Sequence, residues 1–437
     1  EGPTRQRMNR ATAACGASTL RTFSSRFARV SSVTARRGRM PASPDSPGTT
    51  VACATLSGGP DPVAFRFGLL ADIQYTDVDD RCNHTGTQWR RYRNSLAVAR
   101  NAIDYFNQSD LSFVLHNGDI IDHQCAFDFA KDEFKPKAEG LEQLGRVMRI
   151  LSGSQCKDWM FTIGNHELYN FTAAELREGV TPEGCTLPFK CANDEGSFFF
   201  SRTPAPGWRV VVLNSYDVSI YSKGREQGLD VDALELLRKH NANVDKWVSD
   251  NPEVIQTERM SGTFPYFEGL EGLGNRWVPF NGGVGEEQLE WLKGQLSEAK
   301  ANDERVIVFS HLLVHPETTA NGSGRTLIWN YQDVLDAVED ERWGKNVAAV
   351  VSGHQHEGGL YTNDNGTHFV VMESPMLAEP GQPGPFCVVE ASSGGLRMIG
   401  YGKGPNSKIF GAEEGEQYPP AEPMVKDLYL APVEAKA

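Results

Sequence analysis

Short apolar runs alternating with longer helical patterns predict an α/β protein whose helices lie outside a sheet core. The runs FRFGLLAD (65–72), LSFVLHNGD (111–119), WMFTIGN (159–165), WRVVVLN (208–214), RVIVFSH (305–311) and NVAAVVSGH (346–354) are rich in β-branched and aromatic residues, as strands are. Helical periodicity falls at 88–106, 138–151, 286–299 and 330–339. Three late runs, GTHFVVME (366–373), FCVVEA (386–391) and GLRMIGYG (395–402), have no helix between them and read as a meander completing a second sheet.

Before these elements comes a segment of another kind. Residues 1–44 hold nine Arg, no Lys and only Glu1 as an acid, with Ser, Thr and Ala between. That is the composition of an organelle transit peptide, plastid or mitochondrial; without one, the address is cytoplasmic. No apolar core of a secretory signal is present. The five N-x-S/T sequons, at Asn83, Asn107, Asn170, Asn321 and Asn365, are therefore read as chance. Residues 45–64 form a Pro/Gly-rich linker, 65–411 the folded domain, and 412–437 an acidic, Pro-bearing tail. The least periodic part of the body, 215–284, is long enough to be a functional loop or cap.

Composition narrows the function. At 437 residues, 39% of them apolar, the chain can bury a large core. No run approaches the roughly 18 apolar residues of a membrane span. A net charge of −14 argues against nucleic acid as a partner, because backbone binding needs clustered cations. The eight cysteines include no C-x-x-C pair, although Cys185 and Cys191 are close enough for a local disulfide. Oligomeric state is not legible.

The chemistry lies where the strands end. Asp72 and Gln74 follow GLLA, Asp119 follows VLHNG, Asn165 and His166 follow FTIG, His311 follows VIVFS, and His354 and His356 follow AVVSG. A lone His or a lone GD at a strand end is usually a satisfied polar residue or a turn. Five such endings in order point to one site, because open α/β sheets place ligands at the carboxyl ends of their strands. Carboxylate, amide and imidazole donors suit Mn²⁺, Fe²⁺ or Zn²⁺.

The motifs D-x-Q, G-D-x-x-D (118–122), G-N-H-E (164–167), a lone S-H (310–311) and G-H-x-H (353–356) together resemble the calcineurin-like metallophosphoesterases, from about residue 65 to 405. The resemblance implies a four-layer α/β/β/α sandwich of two mixed sheets holding two divalent metals about 3.5–4 Å apart. It implies that Asp119 bridges the metals, that Asp72, Gln74 and His356 complete one site, and that Asn165, His311 and His354 complete the other. His166 would sit over the scissile phosphate as an acid or a cation, and Asp122 and Glu167 would orient imidazoles or the metal water.

Gln74 narrows the resemblance. An amide oxygen in place of an imidazole nitrogen hardens the site and favours Mn²⁺ or Mg²⁺ over Zn²⁺. DIQYTD, RRYRNSL (90–96), GNHELYNFT, PFNGGVGEEQLEWL (279–292), HPETTANGSGRTLIWNY (315–331) and GHQHEGG are similar to the manganese-dependent ADP-ribose/CDP-alcohol diphosphatases. Purple acid phosphatases fit less well, since their tyrosine ligand would fall at Asp122. The implied reaction is hydrolysis of a diphosphate linkage in a small nucleotide. The alternatives are a phosphodiesterase or phosphomonoesterase acting on another substrate, such as a cyclic nucleotide, or a non-catalytic binding module. For substrate contacts, Arg90 at the start of the 88–106 helix could grip a second phosphate, and Asn281 with Gly282 and Gly283 could approach an anion. Trp329 and Tyr331 are read as packing.

Overall fold

The computed structural model describes residues 62–431 apart from 84–85, 129–130, 132, 225–226, 248–265, 412–419 and 421. The predicted leader lies outside the described residues, as does the linker up to residue 61. Sixteen strands are found among the described residues: β1 Val63–Leu70, β2 Arg81–Cys82, β3 Trp89–Arg90, β4 Phe113–His116, β5 Phe127–Asp128, β6 Glu133–Phe134, β7 Trp159–Phe161, β8 Phe200–Ala205, β9 Trp208–Val212, β10 Arg305–Phe309, β11 Val347–Ser352, β12 Gly359–Thr362, β13 His368–Val371, β14 Phe386–Ser392, β15 Gly395–Tyr401 and β16 Met424–Tyr429. The helices are α1 Ser95–Phe106, α2 Lys137–Leu151, α3 Asn165–Asn170, α4 Ala173–Glu178, α5 Val231–His240, α6 Val244–Trp247, α7 Glu286–Ala301 and α8 Tyr331–Glu339.

Two six-stranded mixed sheets result, in the orders β16-β15-β14-β1-β4-β7 and β12-β13-β11-β10-β9-β8. The alternation of each strand decides which layer a side chain joins. Phe65, Phe67 and Leu69 of β1 share one buried cluster with Phe113, Trp208, Val210, Ile307 and Phe309, so this face fills the space between the sheets. Phe67 stacks on Phe113 at 4.9 Å and meets Phe309 of the other sheet edge-on at 5.8 Å. Burying each such ring is worth roughly 1.5–3 kcal/mol.

The opposite faces take the helices. Leu70 and Val114 pack with Val98, Phe106, Leu144 and Met148 of α1 and α2, while Val308 and Val350 pack with Leu292, Leu296, Val334 and Val338 of α7 and α8. Layering helix, sheet, sheet and helix makes the α/β/β/α sandwich. Gly68 is part of the fit, for a Cβ there would stand 3.0–3.1 Å from the Phe106 ring.

Two readings are revised. The late runs do not form one meander: β13 lies in the second sheet, whereas β14 and β15 return to the first, β14 running antiparallel along β1 and β15 along β14. Turn signals separate those runs, but nothing local tells which sheet each will join. The segment read as an acidic tail contributes β16, paired with β15 from Gly395↔Tyr429 to Gly400↔Met424. Cys185 and Cys191 are both free thiols. Among the described residues, no helix is long and apolar enough to cross a membrane.

Candidate metal centre

Strands β1, β4 and β7 run parallel, and so do β9, β10, β11 and β13, so the predicted strand endings gather at one edge of the sandwich. Among the described residues three groups of potential ligand atoms form, Asp72–Asp119–His356, Asp119–His311–His354 and, beside them, Asp122–His123–His166, each with its atoms within 4.8 Å of one another. Asp119 belongs to the first two.

The backbone bends sharply to present these groups. Asp72, Gln74, Asp119 and His354 all have positive φ, at 50°, 43°, 58° and 61°. Only two other non-glycine residues among those described do so, Asp303 and Asn321, types that tolerate this region. Strain of about 1–3 kcal/mol per residue, concentrated in this way, marks a functional site. Gly118, with φ +87°, admits the His311 ring where a Cβ would overlap it.

Hydrogen bonds hold each piece. Asp72 accepts the His354 backbone N–H at 3.0 and 3.1 Å. Asp119 Oδ1 accepts the His166 backbone N–H at 2.9 Å. Asn165 Oδ1 takes the Tyr216 hydroxyl at 3.2 Å. His311 donates through Nδ1 to the Asn117 carbonyl at 2.7 Å, leaving Nε2 3.3 Å from Asp119 Oδ2. Asn117 also joins the two sheets, its amide donating to the Ser310 and Val351 carbonyls at 3.2 Å.

Gln74 donates through Nε2 to Asp122 Oδ2 at 2.8 Å, and the same nitrogen lies 2.9 Å from His166 Nε2. Its Oε1 is buried and has no hydrogen-bond partner. His166 Nδ1 accepts the His123 backbone N–H at 2.8 Å, and Nε2 lies 3.9 Å from Asp119 Oδ2.

The charges are out of balance without a cation. Burial pushes the Asp72 carboxyl well above its ordinary range, and neighbouring Asp119 adds to the shift. Burial opposes ionisation of Asp119 too, yet the His311 and His166 imidazoles hold it well below the carboxylate range. Burial would lower His311, but the Asp119 carboxylate overrides it and raises the imidazole to about 10. Burial and the nearby His311 bring His354 down to about 3, and burial with Arg90 keeps His356 well below its usual value. Two crowded carboxylates, neutral imidazoles and an orphaned amide oxygen are the donor set that divalent cations would satisfy.

The calcineurin-like phosphoesterase family model matches residues 65–358. The chain belongs to that family. Manganese-dependent ADP-ribose/CDP-alcohol diphosphatases are among the proteins it is similar to: 32% identical to that of Arabidopsis thaliana over 72% of this chain and 88% of the relative, and 31% identical to that of Oryza sativa subsp. japonica over 78% and 92%. The fold is similar to that of a dimetal phosphatase from Danio rerio, with a TM-score of 0.64 and 27% identity over 85% of this chain and 100% of that one.

Within this calcineurin-like phosphoesterase some predicted contacts move. Arg90 lies on β3 rather than in a helix, which starts only at Ser95. Arg91 pairs with Glu379, and Arg93 with Asp77 and Asp79. Among the described residues the Arg90 side chain makes no ion pair or hydrogen bond, and its charge is felt at Asp122, His354 and His356. Asn281 is fully buried with every side-chain polar atom engaged, and the backbone N–H groups of Asn281 and Gly283, read as able to approach an anion, donate to the Val278 and Val218 carbonyls at 3.2 and 2.7 Å. Glu167 orients no imidazole. It accepts the backbone N–H groups of Asp119, Ile120 and Gly164 at 2.7–2.8 Å, tying α3 to the Asp119 turn, while burial and Asp119 raise it to about 7. Trp329 is packed, stacking on Trp277 at 5.6 Å.

Asn117, His123 and Tyr216 were not anticipated. Asn117 and His123 flank the G-D-x-x-D motif directly, which was the available signal. Tyr216 had none.

Proposed function

We propose that this protein hydrolyses the diphosphate linkage of small nucleotides, with ADP-ribose and CDP-alcohols as the substrate class and two divalent cations, Mn²⁺ foremost, as cofactors. The observation that carries the reading is the pair of ligand groups sharing Asp119, in a chain that aligns with diphosphatases so named over most of its length. Asp119 would serve both cations; Asp72, Gln74 and His356 would hold one, and Asn165, His311 and His354 the other. When bound, the cations supply Lewis acidity and offset the anionic charge of the phosphoester.

The chain's own residues do the rest. With Nδ1 accepting the His123 N–H, Nε2, 2.9 Å from the Gln74 amide nitrogen and 3.9 Å from Asp119, is the atom through which His166 exchanges a proton with a departing oxygen. Arg90 grips the second phosphate in a charge-assisted fork. Asp122 fixes the Gln74 amide so that Oε1 is the free atom. The Arg-rich residues 1–44 support delivery to a plastid or mitochondrion, which imaging of a leader fusion would check.

The test strips metal from the full chain and adds back Mn²⁺, Mg²⁺ or Zn²⁺ with ADP-ribose, CDP-choline or p-nitrophenyl phosphate. Fast Mn²⁺-dependent release of nucleoside monophosphate is expected. Turnover of the simple ester alone would remove the substrate assignment, and no turnover with any metal would leave a binding module.

A further inference from the structure

We infer that Asn281 is a positioning residue that sets the tautomer of His354 and thereby the nitrogen that His354 presents to Asp119. The inference rests on the reading of His354 as a metal ligand.

The argument starts from the amide. Asn281 Nδ2 donates to the carbonyls of Arg276 and Arg325, at 2.9 and 2.8 Å. A carbonyl can only accept, so the nitrogen must occupy that side. Turning the amide over would set Oδ1 against two carbonyl oxygens in a fully buried place, and each buried group left unsatisfied costs about 1–3 kcal/mol. Oδ1 therefore faces His354 Nε2, 3.1 Å away, and can only accept from it. A neutral imidazole has one N–H. With that proton on Nε2, the Nδ1 lone pair is the one left for a cation.

The rest of the ring's surroundings agree. The His354 backbone N–H is held by both Asp72 oxygens, and Phe280 lies beside the ring at 6.2 Å. The Arg276 side of the clamp is itself anchored, for its guanidinium donates to the Trp329 and Leu273 carbonyls at 2.6 and 2.7 Å. Clamp and ligand are far apart in sequence, so the device exists only once the 266–284 segment has folded across the site.

Second-sphere partners of metal-bound histidines typically change metal affinity by about 10–100-fold when removed. The experiment uses ¹⁵N-histidine-labelled, metal-free full chain, with the His354 signals assigned by His354→Gln. The parent should show the Nε2–H tautomer; an Nδ1–H signal there overturns the inference without any variant of Asn281. Asn281→Ala should give a mixture of tautomers and bind one of two Mn²⁺ ions about 10–100-fold more weakly by calorimetry. An unchanged tautomer and unchanged affinities in Asn281→Ala also overturn it. If His354→Gln binds both Mn²⁺ ions like the parent, the ligand assignment falls instead, and the tautomer signals still decide the role of Asn281. Should Asn281→Ala not fold, the parent spectrum alone gives the answer.

Discussion

The side-chain amide of Gln74 donates to the Asp122 carboxylate at 2.8 Å, and that one contact determines which end of the amide is left over. Oε1 is buried and without a hydrogen-bond partner, and under the proposed function it is the atom offered to a cation where a histidine would offer a ring nitrogen. Gln74→His should shift the metal preference from Mn²⁺ towards Zn²⁺, because imidazole nitrogen is the softer donor. Competitive metal titration of the stripped protein measures it; an unchanged preference would show that Gln74 is not a ligand.

His166 has a different task. It touches the Asp119 turn through its backbone, and its ring lies within 4 Å of the Asp119 and Asp122 carboxylates. His166→Ala should keep both metals and lower kcat by about 10²–10⁴-fold, the usual range for loss of a general acid. Metal analysis alongside steady-state kinetics separates this from a loss of ligands, and a variant as fast as the parent would refute the role.

Metal binding should depend on pH in a definite direction. In the metal-free protein the Asp119 carboxylate raises His311 to about 10, so the ring is protonated at neutral pH and a cation must displace that proton. Apparent Mn²⁺ affinity should therefore climb by about tenfold per pH unit between pH 7 and 9. The sign for stability is the reverse. A histidine raised on folding stabilises the metal-free fold below its unfolded pKa, and that contribution fades as pH rises through about 10. Calorimetry in buffers of different ionisation enthalpy counts the released protons.

Among the described residues the Arg90 side chain has no ion pair, whereas Arg91 and Arg93 beside it do. Arg90→Ala should lower kcat/KM for ADP-ribose by roughly 10–150-fold, the equivalent of about 1.5–3 kcal/mol for a hydrogen bond to a charged group. Turnover of p-nitrophenyl phosphate, with one phosphate, should change much less. Equal losses on both substrates would argue against a grip on the second phosphate.

Away from the site, Gly68→Val would drive side-chain atoms into the Phe106 ring. Overpacking of this kind costs about 1–3 kcal/mol, and urea unfolding of the metal-free protein should show a lower midpoint with an unchanged slope.

Read by itself, the chain determined the α/β class, most strands and helices, and the identities at the strand ends. Those properties are local: periodicity is visible over a dozen residues, and each motif closes within five. The D-x-Q and G-H-x-H residues could be singled out because a strand end delivers its side chains to an edge whatever the rest of the fold does.

Only the tertiary structure decided the rest. Which sheet β14 and β15 join, and that residues 424–429 pair at its edge, depend on long-range registers that no local pattern encodes. The same holds for Asn281, which looked like a turn residue near an anion. Its partners Arg276, Arg325 and His354 are brought to it by separate segments, and burial then leaves its amide a single orientation that satisfies every hydrogen bond. Burial also separates Asp72 from Asp119. Both end strands as acids, but in the folded site one carboxyl is pushed up and the other held down, because each meets a different set of imidazoles and both have lost the water that made them alike.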